Sequence, residues 1–292
     1  MFKTYSSLTK FGIVIFVLLA GLAGYATSFE IETIFQWRHL IWFLGGLYFL
    51  SSGSLALNQV QEYKLDQKMP RTMKRPIATG KVTPAAGFIL SFAMIFVGVG
   101  MLFELSSTAG YLSIASLLLY NVAYTMFWKP RWVFAAVPGA IPGALPITIG
   151  YAVNNSHIFN SDSVYLFLIM FLWQMPHFWT LAIKYKEDYR MGEIPTLPTA
   201  LGVSKTLFHI GLYTFAYAGV AIASPFFLQT SWVYAALVFP FAFMLLKEFF
   251  ALYRSEATKR WFAFFMWTNI SMLVFVFVPV IDKWSFLFIG RG

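Results

Sequence analysis

Asn58-Gln59-Val60-Gln61-Glu62-Tyr63-Lys64-Leu65-Asp66-Gln67-Lys68-Met69-Pro70-Arg71-Thr72-Met73-Lys74-Arg75-Pro76 is a dense polar run in a chain that is otherwise mostly apolar. Asn58, Glu62 and Asp66 recur at i, i+4 and i+8. In a helix each step of four residues drifts by only about 40°, so the three side chains share one face. Arg71, Lys74 and Arg75 follow at once, and Pro76 reads as the stop of that helix. Ordered acids running into a basic cluster suit a Mg²⁺-bridged diphosphate held at a membrane surface.

The flanking sequence sets the class. Of 292 residues, 59% are hydrophobic and only 11% charged, against roughly 25% charged in a soluble domain. The chain is therefore expected to be an integral membrane protein. The 33 Phe residues fit lipid-facing helices and a large apolar cavity. With no cysteine, disulfides, thiolate catalysis and Cys-ligated zinc are excluded. The net charge of +9 is read as loop asymmetry with membrane lipid or an anionic substrate as partner, with no nucleic acid. Met1–Lys10 is short and polar, the apolar run after it lacks a cleavage site, and no Arg/Ser-rich transit peptide precedes it. These features point to a prokaryotic inner membrane.

Nine apolar segments approach the roughly 20 residues needed to cross a bilayer. They lie at about 11–27, 38–57, 84–104, 107–127, 133–152, 163–182, 206–223, 231–252 and 262–281. If the N-terminus and the loops after spans two, four, six and eight share one side, that side holds 18 of the 21 Lys and Arg residues. Only Arg38, Lys283 and Arg291 fall on the other. The positive-inside rule then places the N-terminus in the cytosol and the C-terminus outside, with nine spans. The two long inner loops follow spans two and six, which suggests a four-helix unit repeated in parallel plus a ninth helix. The expected fold is all-α: a single polytopic membrane domain over residues 1–292, with nine helices around a central apolar cavity. Span five, Val137-Pro138-Gly139-Ala140-Ile141-Pro142-Gly143-Ala144-Leu145-Pro146, is either a close-packing kink or a bent cavity wall.

Asn58, Glu62 and Asp66 end span two as it enters the cytosol. Two carboxylates at a helix C-terminus face the negative end of its dipole and want a cation. Oxygen ligands suit Mg²⁺, which binds through one or two carboxylates plus substrate phosphate. A solvated helix in which Glu62 pairs with Lys64 or Lys68 is the alternative. Arg71, Lys74 and Arg75 offer forks and charge for phosphate or carboxylate, or simply anchor the inner face. A second constellation runs Trp173-Gln174-Met175-Pro176-His177-Phe178-Trp179 into Lys184-Tyr185-Lys186-Glu187-Asp188-Tyr189-Arg190-Met191-Gly192. Asp188 is a candidate second metal ligand and Lys184 a diphosphate contact. His177, about two turns inside the span, suits a porphyrin iron, a carboxylate or proton transfer, or a hydrogen bond to a neighbouring helix. Asn121, Tyr124 and Lys129 line one side of span four, where an interfacial aromatic belt is the alternative. P-loop, GxSxG, HExxH, CxxC and dinucleotide fingerprints are absent.

The pattern Asn58-x₃-Glu62-x₃-Asp66-x₂-Met69-x-Arg71-Thr72-x₂-Arg75-Pro76 resembles the first motif of the UbiA-type intramembrane prenyltransferase superfamily. Its Met-x-Arg-Thr-x₂-Arg-Pro part resembles the haem O synthase branch, the protohaem IX farnesyltransferases. So do Trp173 through Trp179, Tyr185 through Tyr189, Gly192, Ile194-Pro195, Leu197-Pro198 and the Pro/Gly run of span five. The resemblance covers residues 8 to about 205. Glu62 stands where the superfamily usually has Asp, Lys184 takes the first acidic position of the second motif, and Lys10-Phe11-Gly12 lacks the Pro-Arg that often follows Lys.

The resemblance implies transfer of a farnesyl group from farnesyl diphosphate to the 2-vinyl group of haem B, giving haem O for terminal oxidases. It implies Mg²⁺ on Asn58, Glu62, Asp66 and Asp188. Arg71, Arg75 and His177 join these four as catalytic residues, and substrate contacts are expected from Lys74, Asn121, Tyr124, Lys129, Lys184 and Lys186. Haem A synthase or terminal oxidase assembly is the expected recipient of the product. A quinone precursor or chlorin is the alternative acceptor, and a transporter is the alternative class.

Overall fold

The computed structural model describes residues 2–30 and 33–289, with side chains over 3–30 and 33–285; Arg291 lies outside the described residues. All regular structure among them is helical. A short α1 (Phe2–Leu8) precedes α2 (Phe11–Ser28), α3 (Trp37–Asp66), α4 (Pro84–Leu105) and α5 (Ser107–Leu117). The π-helical segment Leu118–Trp128 and the short α6 (Lys129–Arg131) continue α5. Next come α7 (Ala136–Asn154), α8 (Ser161–Lys184), α9 (Lys186–Met191), α10 (Leu197–Ala200), α11 (Gly202–Ala223), α12 (Trp232–Arg254) and α13 (Trp261–Ile289). Nine stretches among the described residues are long and apolar enough to cross a membrane. They match the nine expected segments closely, because a 20-residue apolar window is a strong signal.

The clearest difference lies at the end of span two. The 30 residues of α3 would measure about 45 Å at 1.5 Å per residue, longer than a hydrocarbon core of about 30 Å. Its last turns therefore carry Asn58, Glu62 and Asp66 past the apolar segment in unbroken helical register. Pro76 does not end this helix. It ends at Asp66, four residues before Pro70, and residues 67–83 form successive turns. Gln67 Nε2 donates to Ala78 O at 2.9 Å and Thr72 Oγ1 to Asp66 O at 3.1 Å, tying that loop to the helix end.

The chain forms two compact units. The first comprises residues up to Ser156 together with Glu187–Pro195. Within it α3 packs along α4, and α2 along α7. The α2–α7 crossing is close: a Cβ at Gly24 would collide with the Ile147 carbonyl, and one at Gly150 with the Gly21 carbonyl. Only glycine permits that approach. Span five, with Pro142 and Pro146 inside α7, is thus a tightly packed helix. Ser116 Oγ donates to the Pro142 carbonyl at 3.4 Å.

The second unit comprises His157–Lys186 and the chain from Thr196 onward. There α8 packs on α11 and α13, and α12 on α13. The buried hydroxyls of Tyr165 and Tyr234 meet at 2.9 Å, and Tyr165 also donates to Phe275 O at 3.0 Å. Asp282 accepts from Ser231 N at 2.8 Å and from its hydroxyl, fixing the start of α12. The first unit holds five of the spans and the second four.

Candidate active site

The end of α3 presents one buried polar face. Asn58, Glu62 and Asp66 are 2%, 7% and 1% exposed. Each meets a cation from a different segment. Lys10 Nζ donates to Asn58 Oδ1 at 2.9 Å. Lys129 Nζ donates to Glu62 Oε1 at 2.5 Å. Arg75 Nη1 donates to both Asp66 oxygens, at 2.7 and 2.8 Å. Glu62 therefore does not pair with Lys64 or Lys68 along the helix, but with a residue 67 positions away.

Local structure delivers each cation. Lys10 breaks the chain between α1 and α2 in the left-handed conformation, φ 52. Burial pulls its ammonium down to about 7. The nearby Arg75 and Lys129 add to this effect, while Glu62 and Asp66 oppose it. Lys129 follows the π-helical segment, where Thr125 Oγ1 donates back to Tyr120 O at 2.8 Å. Arg75 is carried by the turns after α3.

Asn121 is buried at the contact between α3 and the π-helical segment. Its Nδ2 donates to Ser54 O at 2.9 Å and Gln61 Oε1 at 3.1 Å, and its Oδ1 accepts from Ser54 Oγ at 2.5 Å. Gln61 Nε2 returns a bond to Asn121 O at 2.9 Å. Asn58 Nδ2 donates to Thr125 Oγ1 at 3.2 Å. Tyr120 and Tyr124 stack with centroids 5.9 Å apart.

The same unit brings in Asp188. Its Oδ2 accepts from the Arg71 backbone N–H at 3.3 Å and lies 3.9 Å from Arg71 Nε. The Arg71 guanidinium sits 5.8 Å from the Tyr189 ring centroid. Gly192 permits this docking, since a Cβ there would press on Met69. Lys68 and Glu193 pair at 3.6 Å on the exposed rim. Lys74 is exposed on the same loop.

No three His, Cys, Asp or Glu side chains among the described residues are grouped closely enough to hold a metal. The donor set nevertheless fits a hard divalent cation. It is oxygen-only and buried, as such an ion requires, and in this structure Lys129 and Arg75 take up the Glu62 and Asp66 carboxylates in its place.

His177, Lys184 and Lys186 belong to the second unit. His177 Nδ1 lies 2.9 Å from Asn269 Oδ1. Its ring sits between Trp173 and Phe265, with centroids at 4.7 and 4.8 Å. Lys184 Nζ stands 4.8 Å from the Trp261 ring centroid, and Lys186 is half-buried at the start of α9. Sequence reasoning gave Lys10 no role in the site, and it gave none to Asn269, in a region without motifs.

Nine apolar helices among the described residues, with a buried row of one amide and two acids met by cations, define a multi-pass membrane protein with a polar site at a helix end. Residues 13–270 match the UbiA prenyltransferase family, and the chain belongs to that family. It is 64% identical over 292 residues to the protoheme IX farnesyltransferase of Bdellovibrio bacteriovorus, covering 100% of both chains. It is 34% identical over 257 residues to the protein of that name from Leptospira biflexa, covering 84% of this chain and 88% of the relative. Among solved structures it resembles one from a study of digeranylgeranylglyceryl phosphate synthase (TM-score 0.77, 16% identity, 96% of this chain and 99% of that one). It also resembles a UbiA homolog from Archaeoglobus fulgidus bound to GPP and Mg²⁺ (TM-score 0.69, 13% identity, 95% and 99% covered). At such identities the structures establish the fold alone.

Proposed function

We propose that this protein transfers the farnesyl group of farnesyl diphosphate to the 2-vinyl group of haem B, giving haem O. It would do so as one prenyltransferase domain in a prokaryotic inner membrane, with its N-terminus in the cytosol. The observation that carries the reaction class is the buried row Asn58, Glu62, Asp66, each side chain met by a cation. The acceptor follows from the full-length likeness to the Bdellovibrio relative.

The difficult step is ionisation of the allylic C–O bond, whose electron pair leaves with the diphosphate. Mg²⁺ held by Asn58, Glu62, Asp66 and Asp188 would supply positive charge to the diphosphate oxygens. Arg71, Lys74, Arg75 and Lys129 would add positive charge toward the same diphosphate. Lys10 joins them on the strength of its place beside Asn58. The face of Tyr124 would hold the delocalised allyl cation. The vinyl π pair then forms the new C–C bond. Water captures the resulting carbocation and loses a proton to solvent. Asn121 acts by holding the π-helical segment to α3. His177 and Lys186 serve the acceptor. Haem A synthase or an oxidase assembly would receive the product.

An acceptor competition tests this reading. Purified protein with farnesyl diphosphate and Mg²⁺ is offered haem B together with quinone precursors. Farnesylated haem as the main product is expected. Farnesylated quinone precursor with unchanged haem would overturn the acceptor assignment.

A further inference from the structure

Asn269 has its amide orientation fixed by its own helix. Nδ2 lies 2.6 Å from the Phe265 carbonyl, one turn earlier in α13. A carbonyl only accepts, so the group facing it must be the amide N–H₂. The opposite end of Asn269 is then Oδ1, which also only accepts, and it faces His177 Nδ1 at 2.9 Å. His177 Nδ1 must therefore carry the proton. In a neutral imidazole the lone pair is left on Nε2.

The ring plane is fixed as well. Trp173, one turn before His177 on α8, and Phe265 on α13 flank the imidazole at 4.7 and 4.8 Å, tilted 44° and 38° to it. No hydrogen bond to Nε2 occurs among the described residues, and the atom is not among the buried polar atoms that lack a partner. Nε2 thus remains accessible while Nδ1 is anchored. A neutral nitrogen ligand oriented by a hydrogen bond through its other nitrogen is the arrangement of a metal-ligating histidine. An apolar span lined by aromatic rings favours a flat, mostly apolar metal complex over a hydrated ion.

We infer that Asn269 is a positioning residue that locks the His177 tautomer so that Nε2 ligates the iron of the haem acceptor. The identity of the metal complex rests on the haem reading above; the tautomer lock stands on the bonds alone.

The test is a titration of the purified full-length protein with ferric haem B, without farnesyl diphosphate, followed by Soret absorbance and electron paramagnetic resonance. The wild type should give a histidine-ligated spectrum that His177→Ala loses. Asn269→Leu should weaken haem binding about tenfold or more, the usual effect of removing a partner behind a metal ligand. Asn269→Asp keeps an acceptor for Nδ1–H but loses the donor to the Phe265 carbonyl, and should retain the ligated spectrum with binding weaker than wild type and stronger than Asn269→Leu. In His177→Gly, added imidazole should restore that spectrum, and less effectively when Asn269→Leu is also present. This second arm decides the matter if Asn269→Leu alone folds poorly. An unchanged spectrum in His177→Ala, or equal imidazole rescue with and without Asn269, would overturn the inference. Farnesyl transfer to haem with no His177-dependent spectrum would sink the inference and leave the function standing. A His177-dependent spectrum without transfer would do the reverse.

Discussion

Arg75 grips Asp66 with one nitrogen shared between both carboxylate oxygens, at 2.7 and 2.8 Å, while Asp66 is 1% exposed. A buried carboxylate gripped at both oxygens is held in one orientation. Removing either partner leaves an uncompensated charge. Asp66→Ala is expected to lower kcat at least about a hundredfold and to destabilise the protein by about 1–3 kcal/mol. In Asp66→Ala/Arg75→Ala the stability loss should be smaller, while activity stays lost. Thermal unfolding in detergent beside haem product analysis separates the two effects. Restored activity in the double variant would contradict the role of Asp66.

Lys10 supplies a pH signature. Its ammonium is pulled down to about 7, below the ordinary lysine value of 10.5, chiefly by burial. As pH rises through 7 the folded protein gives up this proton before the unfolded chain does. Lys10 should therefore stabilise the fold progressively between about pH 7 and 10.5. Anion binding should move the other way, because the positive charge is lost. The ratio of wild-type to Lys10→Arg affinity for inorganic pyrophosphate is expected to fall between pH 6 and 8.5. Lys10→Met should bind about tenfold more weakly than wild type at pH 6. A pH-independent ratio would remove Lys10 from the anion site.

The α2–α7 crossing predicts a stability defect remote from the chemistry. A methyl group at Gly24 or Gly150 would meet backbone of the facing helix, which cannot rotate away. Gly24→Ala and Gly150→Ala should each cost about 1–3 kcal/mol. The readout is a lower midpoint for loss of the monodisperse peak in heated detergent samples. Unchanged midpoints would show that the helices slide apart at little cost.

Metal removal gives a further expectation. EDTA should lower the rate at least about a hundredfold, and excess Mg²⁺ should restore it. A variant lacking both Glu62 and Asp66 carboxylates (Glu62→Gln/Asp66→Asn) should show little Mg²⁺ response.

Much of this organisation was readable from residues alone. The nine spans followed from apolar windows, and the face shared by Asn58, Glu62 and Asp66 from steps of four. The partners of that face were not readable. Lys10 lies 48 residues from Asn58 and Lys129 lies 67 from Glu62, and only tertiary packing of α2 and the π-helical segment brings them in. The segment Leu118–Trp128 was hidden for a related reason: a π-helix closes i→i+5 bonds, so helical spacing rules do not describe it. Pro76 misled because Pro70, two turns earlier in sequence, sits closer to the end of α3. Asn269 carried no signal at all, since its meaning depends on His177 across a helix contact.

The most direct measurement is a mass spectrum of haems extracted after wild-type protein is incubated with haem B, farnesyl diphosphate and Mg²⁺. An EDTA-treated sample and an Asp66→Ala sample run beside it. A hydroxyethylfarnesyl haem present only in the wild-type sample with Mg²⁺ is the predicted result. Unmodified haem B in a folded wild-type sample, with farnesyl diphosphate intact, would contradict it.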